Sequence, residues 1–135
     1  MCQNIYISSN KELPEIDWDE NSPGFYIKKV DNPDLIKSLK EITESEFFYE
    51  ALSHMGCSCG LCYAEWLNED NPKQRRQDVR KFAEYIDANK KNNLVKIFST
   101  DWTEFPDEYP KKEFKTSEIG EEEFYVEELV LLTVV

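Results

Sequence analysis

Hydrophobic and polar positions recur along this chain with two periods, and each period predicts an element. Ile5-Tyr6-Ile7, followed by Ser8 and Ser9, is a β-branched and aromatic run that predicts a strand. Pro14 through Pro23 is acidic and turn-rich, with Trp18 inside it. Gly24 to Val30 predicts a second strand. Asn32-Pro33 then predicts a helix start. Asn accepts from free backbone N–H groups at the cap, and Pro suits the first helical position. Leu35, Leu39 and Ile42, with Ile36 beside them, recur at helical spacing. Phe47 to Leu52 is strand-like and runs into a loop rich in glycine and cysteine. Leu61 to Leu67 is ambiguous between strand and helix.

Asn71-Pro72 repeats the helix-start chemistry, with Gln74 at the third helical position. Val79, Phe82, Ala83 and Ile86 form one apolar stripe, and Asn92-Asn93 predicts the end of that helix. Leu94 to Phe98 predicts a strand continuing toward Asp101-Trp102. Residues 103–113 predict a loop with Pro106 and Pro110, Phe114 to Ile119 a strand, Gly120 a turn, and Phe124 to Val135 a closing strand. The two Asp-Asn-Pro triplets, at 31–33 and 70–72, share capping chemistry without a repeated sequence after them. The order β β α β (β) α β β β predicts a single α+β domain over residues 1–135. Its sheet is mostly antiparallel, with two helices in a single pair of layers. The short connection 120–123 favours antiparallel pairing at the C-terminal end.

Composition narrows the class. Forty per cent hydrophobic and 13% aromatic residues exclude a disordered chain, even with 33% charged residues. Four glycines and six prolines exclude collagen-like architecture. The net charge of −12, from 28 acidic and 16 basic residues, disfavours nucleic acid as the ligand. The charge is uneven. Residues 73–96 carry Lys73, Arg75, Arg76, Arg80, Lys81, Lys90, Lys91 and Lys96 against Asp78, Glu84 and Asp87. This predicts either a solvated helix face or a basic strip for an anionic partner. The start Met1-Cys2-Gln3-Asn4-Ile5 lacks the pattern of a signal peptide, and the apolar run Leu129 to Val135 is too short to span a bilayer. The expectation is a cytoplasmic protein, in no membrane, with reduced thiols.

Candidate chemistry concentrates in residues 53–62, Ser-His-Met-Gly-Cys-Ser-Cys-Gly-Leu-Cys. This stretch holds the only histidine, His54, three of the four cysteines (Cys57, Cys59, Cys62) and two of the four glycines. Gly56 and Gly60 permit the positive φ that a tight loop around a ligand needs. Four readings stand. The first is a zinc site, since thiolate and imidazole are the preferred ligands and His54, Cys57, Cys59 and Cys62 number four. Against it, the ligands crowd into one short segment, whereas known sites usually join two separated pairs. Cys2, beside the first strand, would replace one of them. The second is a reactive thiol, because Cys59-Gly60-Leu61-Cys62 is a C-x-x-C and His54 would favour a thiolate at Cys57 or Cys59. The third is a tight turn whose cysteines simply pack as small hydrophobes. The fourth is a nest of backbone N–H groups for an anion.

Met1-Cys2, Tyr6-Ile7, Leu13-Pro14 and then Ser53-His54-x-Gly56-Cys57-x-Cys59-Gly60 resemble a family of small uncharacterised bacterial proteins. That family carries an N-terminal M-C and a central S-H-x-G-C-x-C-G motif. The likeness extends to an aromatic strand ending in Trp, as Phe98 to Trp102, and to the closing strand Phe124 to Val135. Leu61 stands where the family has an aromatic residue, and Cys62 lies outside its pattern. The resemblance therefore points to Cys2, His54, Cys57 and Cys59 as the group to test. It locates a site and implies no activity.

Other constellations carry less. The carboxylates Asp17, Asp19, Glu20, Asp101, Glu104, Asp107 and Glu108 read as surface in so acidic a chain. Glu121-Glu122-Glu123 reads as a charge run that discourages edge association. Trp18, Trp66 and Trp102 read as core or groove lining. There is no G-x-G-x-x-G, Walker A or H-E-x-x-H motif. The expectation is a small binding or accessory domain whose Cys/His site, with zinc as its candidate cofactor, lies in the 54–62 loop. The enzyme alternative makes Cys57 or Cys59 a nucleophile or redox thiol activated by His54. A third alternative is an acidic interaction protein, of the kind that masks a basic toxin surface as immunity proteins do, with a basic protein as partner.

Overall fold

The computed structural model describes residues 3–61, 72–101, 105–119, 126 and 128–135. Six strands form one open sheet. They are β1 (Gln3–Ser9), β2 (Tyr26–Lys29), β3 (Phe47–Leu52), β4 (Val95–Asp101), β5 (Lys111–Phe114) and β6 (Leu131–Val134). Their order is β2-β3-β1-β4-β6-β5. The helices are α1 (Pro33–Thr43) and α2 (Pro72–Asn89). This is the α+β class expected, with a mostly antiparallel sheet.

Side-chain alternation sorts the core. Ile5, Ile7, Tyr49, Ala51, Val95, Ile97, Leu132 and Val134 face one way and bury against Val79, Phe82, Tyr85 and Ile86 of α2. Tyr6 and Phe48 face the other way and pack on Leu39 of α1, while Phe98 and Leu131 pack on Ile42. The helices therefore cover opposite faces, giving three layers where a single pair was expected. The physical reason is that the central strands β1, β3 and β4 carry large apolar side chains on both faces, Tyr6, Phe48 and Phe98 opposite the α2-side core, so each face needs a cover.

Helix α1 starts as its sequence implies. Asn32 Oδ1 accepts from the N–H groups of Asp34 at 3.0 Å and Leu35 at 3.2 Å, and Pro33 follows the cap. The corresponding cap of α2, Asn71, lies outside the described residues, as do positions 62–67 of the ambiguous segment, Gly120 and Glu121–Glu123. Helix α2 ends at Asn89 and not at Asn92-Asn93. The turn after it is closed by Asn93 donating to the Lys90 carbonyl, with Asn92 at φ 53.

The C-terminal end differs most from expectation. The predicted loop 103–113 contains β5, and Thr116–Glu118, within the predicted strand 114–119, is a 3-10 turn. The described part of the closing strand is Leu131–Val134, after Leu129 at φ 58. β5 and β6 pair in parallel, Lys111 opposite Leu131, which corrects the antiparallel expectation. Described residues between them lie on the α2 side. Thr116 Oγ1 donates to Asp87 of α2 at 3.1 Å, and Val126 is buried in the α2-side core. A parallel pair needs such a crossover, not a hairpin.

The β2 edge is closed to further pairing, and charge guards the β5 edge. On β2, the Phe25 N–H just before the strand donates to Asp78, Ile27 exchanges two bonds with Ile16, and the Lys29 N–H donates to Glu15 Oε1. β5 presents exposed Lys111, Lys112 and Glu113. Charges and capped N–H groups are how sheets avoid edge-to-edge association. Among the described residues, no helix is long and apolar enough to cross a membrane.

Candidate functional site

The segment after β3 is pinned before any function is considered. The Ser53 N–H and Oγ donate to the Cys57 carbonyl at 2.8 and 2.7 Å, and the Gly56 N–H donates back to the Ser53 carbonyl at 3.0 Å. Gly56 takes φ +79, a conformation that costs an L-residue roughly 1–2 kcal/mol. Ser58 Oγ donates to the Ala51 carbonyl at 2.5 Å and accepts the Ile5 N–H at 3.1 Å. Since Ile5 and Ala51 face each other in the β1–β3 register, this hydroxyl is inserted at the end of the ladder. The 3-10 turn Ser58–Leu61 follows, ending on fully buried Leu61. The loop thus springs from the two central strands with a defined shape.

His54 is held by a residue that motif reasoning missed. Asp78, on the buried stripe of α2, is 0% exposed. Its Oδ2 accepts the His54 backbone N–H at 2.9 Å and contacts His54 Nδ1 at 2.6 Å. Its Oδ1 accepts the Phe25 N–H at 2.9 Å and Gln74 Nε2 at 3.0 Å. A carboxylate accepts, so Nδ1 is the donor in this contact, and the tautomer that matches it places the ring's lone pair at Nε2. The His54 side chain is 16% exposed, so the ring is sheltered but not sealed from solvent. The signal available in the sequence was an aspartate on an apolar stripe: Asp78 lies next to Val79 and one turn before Phe82.

Cys57 is a partly buried thiol in the same loop as His54. Of Cys59 and Gly60 only the backbone is described, within the 3-10 turn, and Cys2 and Cys62 lie outside the described residues. Among the described residues, no group of three or more His, Cys, Asp or Glu side chains is placed to hold a metal ion. Tyr26 flanks the loop, its hydroxyl donating to the Gly56 carbonyl over a long 3.4 Å. Burial, then the charges of Glu50 and Cys57, push the Tyr26 phenol upward.

Glu50 lies opposite Tyr6 on β1 and Lys28 on β2, facing the α1 side of the sheet. Burial raises its carboxyl above the ordinary range, partly offset by Lys28, and burial with the Glu50 charge lifts Tyr6 to about 12. The native state therefore holds the Glu50 proton more readily than the unfolded chain does. The resulting stabilisation is full below the ordinary glutamate range and is lost as pH rises through the raised native value. Glu50→Gln is accordingly expected to stabilise the protein at pH 7, with the gain vanishing near pH 4. Urea unfolding at both pH values checks this.

The basic segment does not form one strip. Arg75 is buried on α2, Lys96 bonds the Thr43 carbonyl on the α1 side, and Lys90 pairs with Asp87 at 2.9 Å. Asp17, Asp19, Glu20, Asp107 and Glu108 are exposed, as expected. Asp101 is described by its backbone alone, and Glu104, Trp66 and Trp102 lie outside the described residues. No protein-family model, curated protein or solved structure matches this chain.

Proposed function

We propose that the loop after β3 is a thiol reaction site in which His54, oriented by Asp78, activates Cys57 or Cys59. The observation that carries this reading is the 2.6 Å contact between His54 Nδ1 and a carboxylate that is 0% exposed. A carboxylate on Nδ1 selects the tautomer whose Nε2 takes a proton, the arrangement that nucleophile–imidazole–carboxylate sites use. In the reaction, the thiol proton passes to Nε2 and the thiolate attacks an electrophilic centre of the substrate. His54 then returns the proton to the departing group. A reducing cytoplasm is the compartment in which such a thiol stays available.

The test is alkylation by iodoacetamide at pH 7, with the labelled cysteine identified by peptide mass spectrometry. Cys57 or Cys59 is expected to label readily, and His54→Gln to slow that labelling by tenfold or more, toward the low end of what a positioned proton acceptor contributes. Equal rates in the two proteins would sink the reading.

The same contact favours one other reading. Metal-binding imidazoles also donate their second N–H to a carboxylate. His54 with Cys57 and Cys59, completed by Cys2 or Cys62, has the donor chemistry for zinc. Elemental mass spectrometry of untagged protein separates the two. About one zinc per chain, with thiols that label only after chelation, would favour the metal site over the reactive thiol.

A further inference from the structure

We propose that the cleft beside this loop binds an alkylammonium cation, and that such a group belongs to the substrate of the thiol site; the second half of the proposal rests on the reading of that site given above. The cleft, about 210 Å³, is lined by Glu15, Ile16, Asp17, Trp18, Tyr26 and Lys28, with Ile27 at its base. Trp18 and Tyr26 meet edge to face, with centroids 5.0 Å apart and planes 66° apart, so their faces form a corner. Trp18 is 38% exposed although it is among the largest apolar side chains available for the core.

Aromatic faces carry negative charge density, and a corner of two rings is the arrangement that attracts a weakly hydrated cation. Two carboxylates, Glu15 and Asp17, share the lining. Lys28 is the one cation among the described lining residues, and it stands opposite Glu50 across the β2–β3 pair, whose carboxylate offsets its charge. The walls are preformed. Ile16 is held to Ile27 by two backbone bonds of 3.1 Å, and Glu15 Oε1 accepts the Lys29 N–H at 2.8 Å. Tyr26 joins the cleft to the loop, because its hydroxyl reaches the Gly56 carbonyl beside Cys57. A cation seated on the rings would thus place the rest of its molecule toward the loop that holds Cys57.

Two thiol-specific reagents test this directly, methyl methanethiosulfonate and its 2-(trimethylammonium)ethyl analogue. In each, the loop thiolate attacks the sulfenyl sulfur, a disulfide forms and methanesulfinate leaves. The cationic reagent is expected to react faster, on the order of tenfold. Trp18→Ala is expected to abolish that preference and Asp17→Asn to reduce it several-fold, each read as the ratio of the two reagents' rates in the same variant. A preference that survives in Trp18→Ala, or none in the wild type, would overturn the proposal. His54→Gln slowing both reagents alike bears only on the thiol reading, so the two failures are distinguishable. In Cys57→Ser, choline is expected to shift the backbone amide resonances of residues 15–18 and 26–28, and its neutral isostere 3,3-dimethylbutan-1-ol to leave them in place. Equal shifts from both, or from neither, would also overturn the proposal.

Discussion

Asp78→Ala is expected to lower the unfolding free energy by about 3–5 kcal/mol, the usual cost of deleting one partner from a buried charged contact. Among the described residues, four hydrogen bonds end on this carboxylate, from the Phe25 and His54 backbone N–H groups, Gln74 Nε2 and His54 Nδ1. Alanine leaves two backbone donors without an acceptor, and each such orphan costs roughly 1–3 kcal/mol. It also releases three separate pieces of chain at once: the entry to β2, the exit from β3 and the first turns of α2. Urea unfolding followed by circular dichroism would show the lowered midpoint. A loss below about 1 kcal/mol would mean that these contacts are dispensable to the fold.

Asp78→Asn separates architecture from chemistry. The amide keeps one acceptor for Phe25 and Gln74 but turns an NH₂ toward His54 in place of an oxygen, so the His54 backbone N–H loses its acceptor as well. The ring then accepts at Nδ1 and carries its proton on Nε2, the wrong tautomer for receiving a thiol proton. Thiol labelling in this variant is expected to fall at least as far as in His54→Gln, with a smaller stability loss than in Asp78→Ala. The alternative, that Asp78 only holds the fold, predicts a stability loss with unchanged labelling in the folded protein.

How much of this was legible in the sequence depends on the range of each interaction. Asn32-Pro33 announced α1 because a cap is made by neighbours, Asn32 bonding Asp34 and Leu35. Ile5-Tyr6-Ile7 announced a strand, but the expected single pair of layers left Tyr6 without a cover, and it packs on α1 while Ile5 and Ile7 face α2. Gly56 was legible as a residue needing positive φ, and it has it. His54 was legible as a site residue by its uniqueness, but its partner stands 24 residues away on another element. Asp78 sits in a run of lysines and arginines, where an acidic residue looks like charge balance. Only its phase on the apolar stripe betrays burial. The parallel pairing of β5 with β6 was hidden for a similar reason. It goes with Thr116 bonding Asp87 of α2 and Val126 burying in the α2-side core, contacts that local turn chemistry does not encode. Trp18 was read as core or groove lining. Its role in a cleft follows from the single Ile16–Ile27 bridge that sets the turn-rich segment against β2.

Phe82→Ala is expected to cost about 3–5 kcal/mol, the range for truncating a buried phenylalanine. Phe82 is 0% exposed on the sheet-facing side of α2, and its ring meets Phe25 edge to face at 6.0 Å. Phe25 also meets Tyr85 at 6.1 Å, so one truncation loosens a three-ring contact between α2 and the approach to β2. Phe82→Leu retains most of the volume and should cost less than about 1.5 kcal/mol. The informative part is what happens to the loop. Asp78 lies one turn from Phe82 on the same stripe, but its carboxylate is fixed by backbone N–H groups of Phe25 and His54, not by the ring. The folded fraction of Phe82→Ala is therefore expected to keep thiol labelling within a few-fold of wild type, measured well below its unfolding midpoint. Packing of this ring sets how stably α2 docks, whereas the carboxylate's donors set where His54 points. A collapse of labelling in folded Phe82→Ala would mean that helix position, not the hydrogen-bonded anchor, governs the His54 ring.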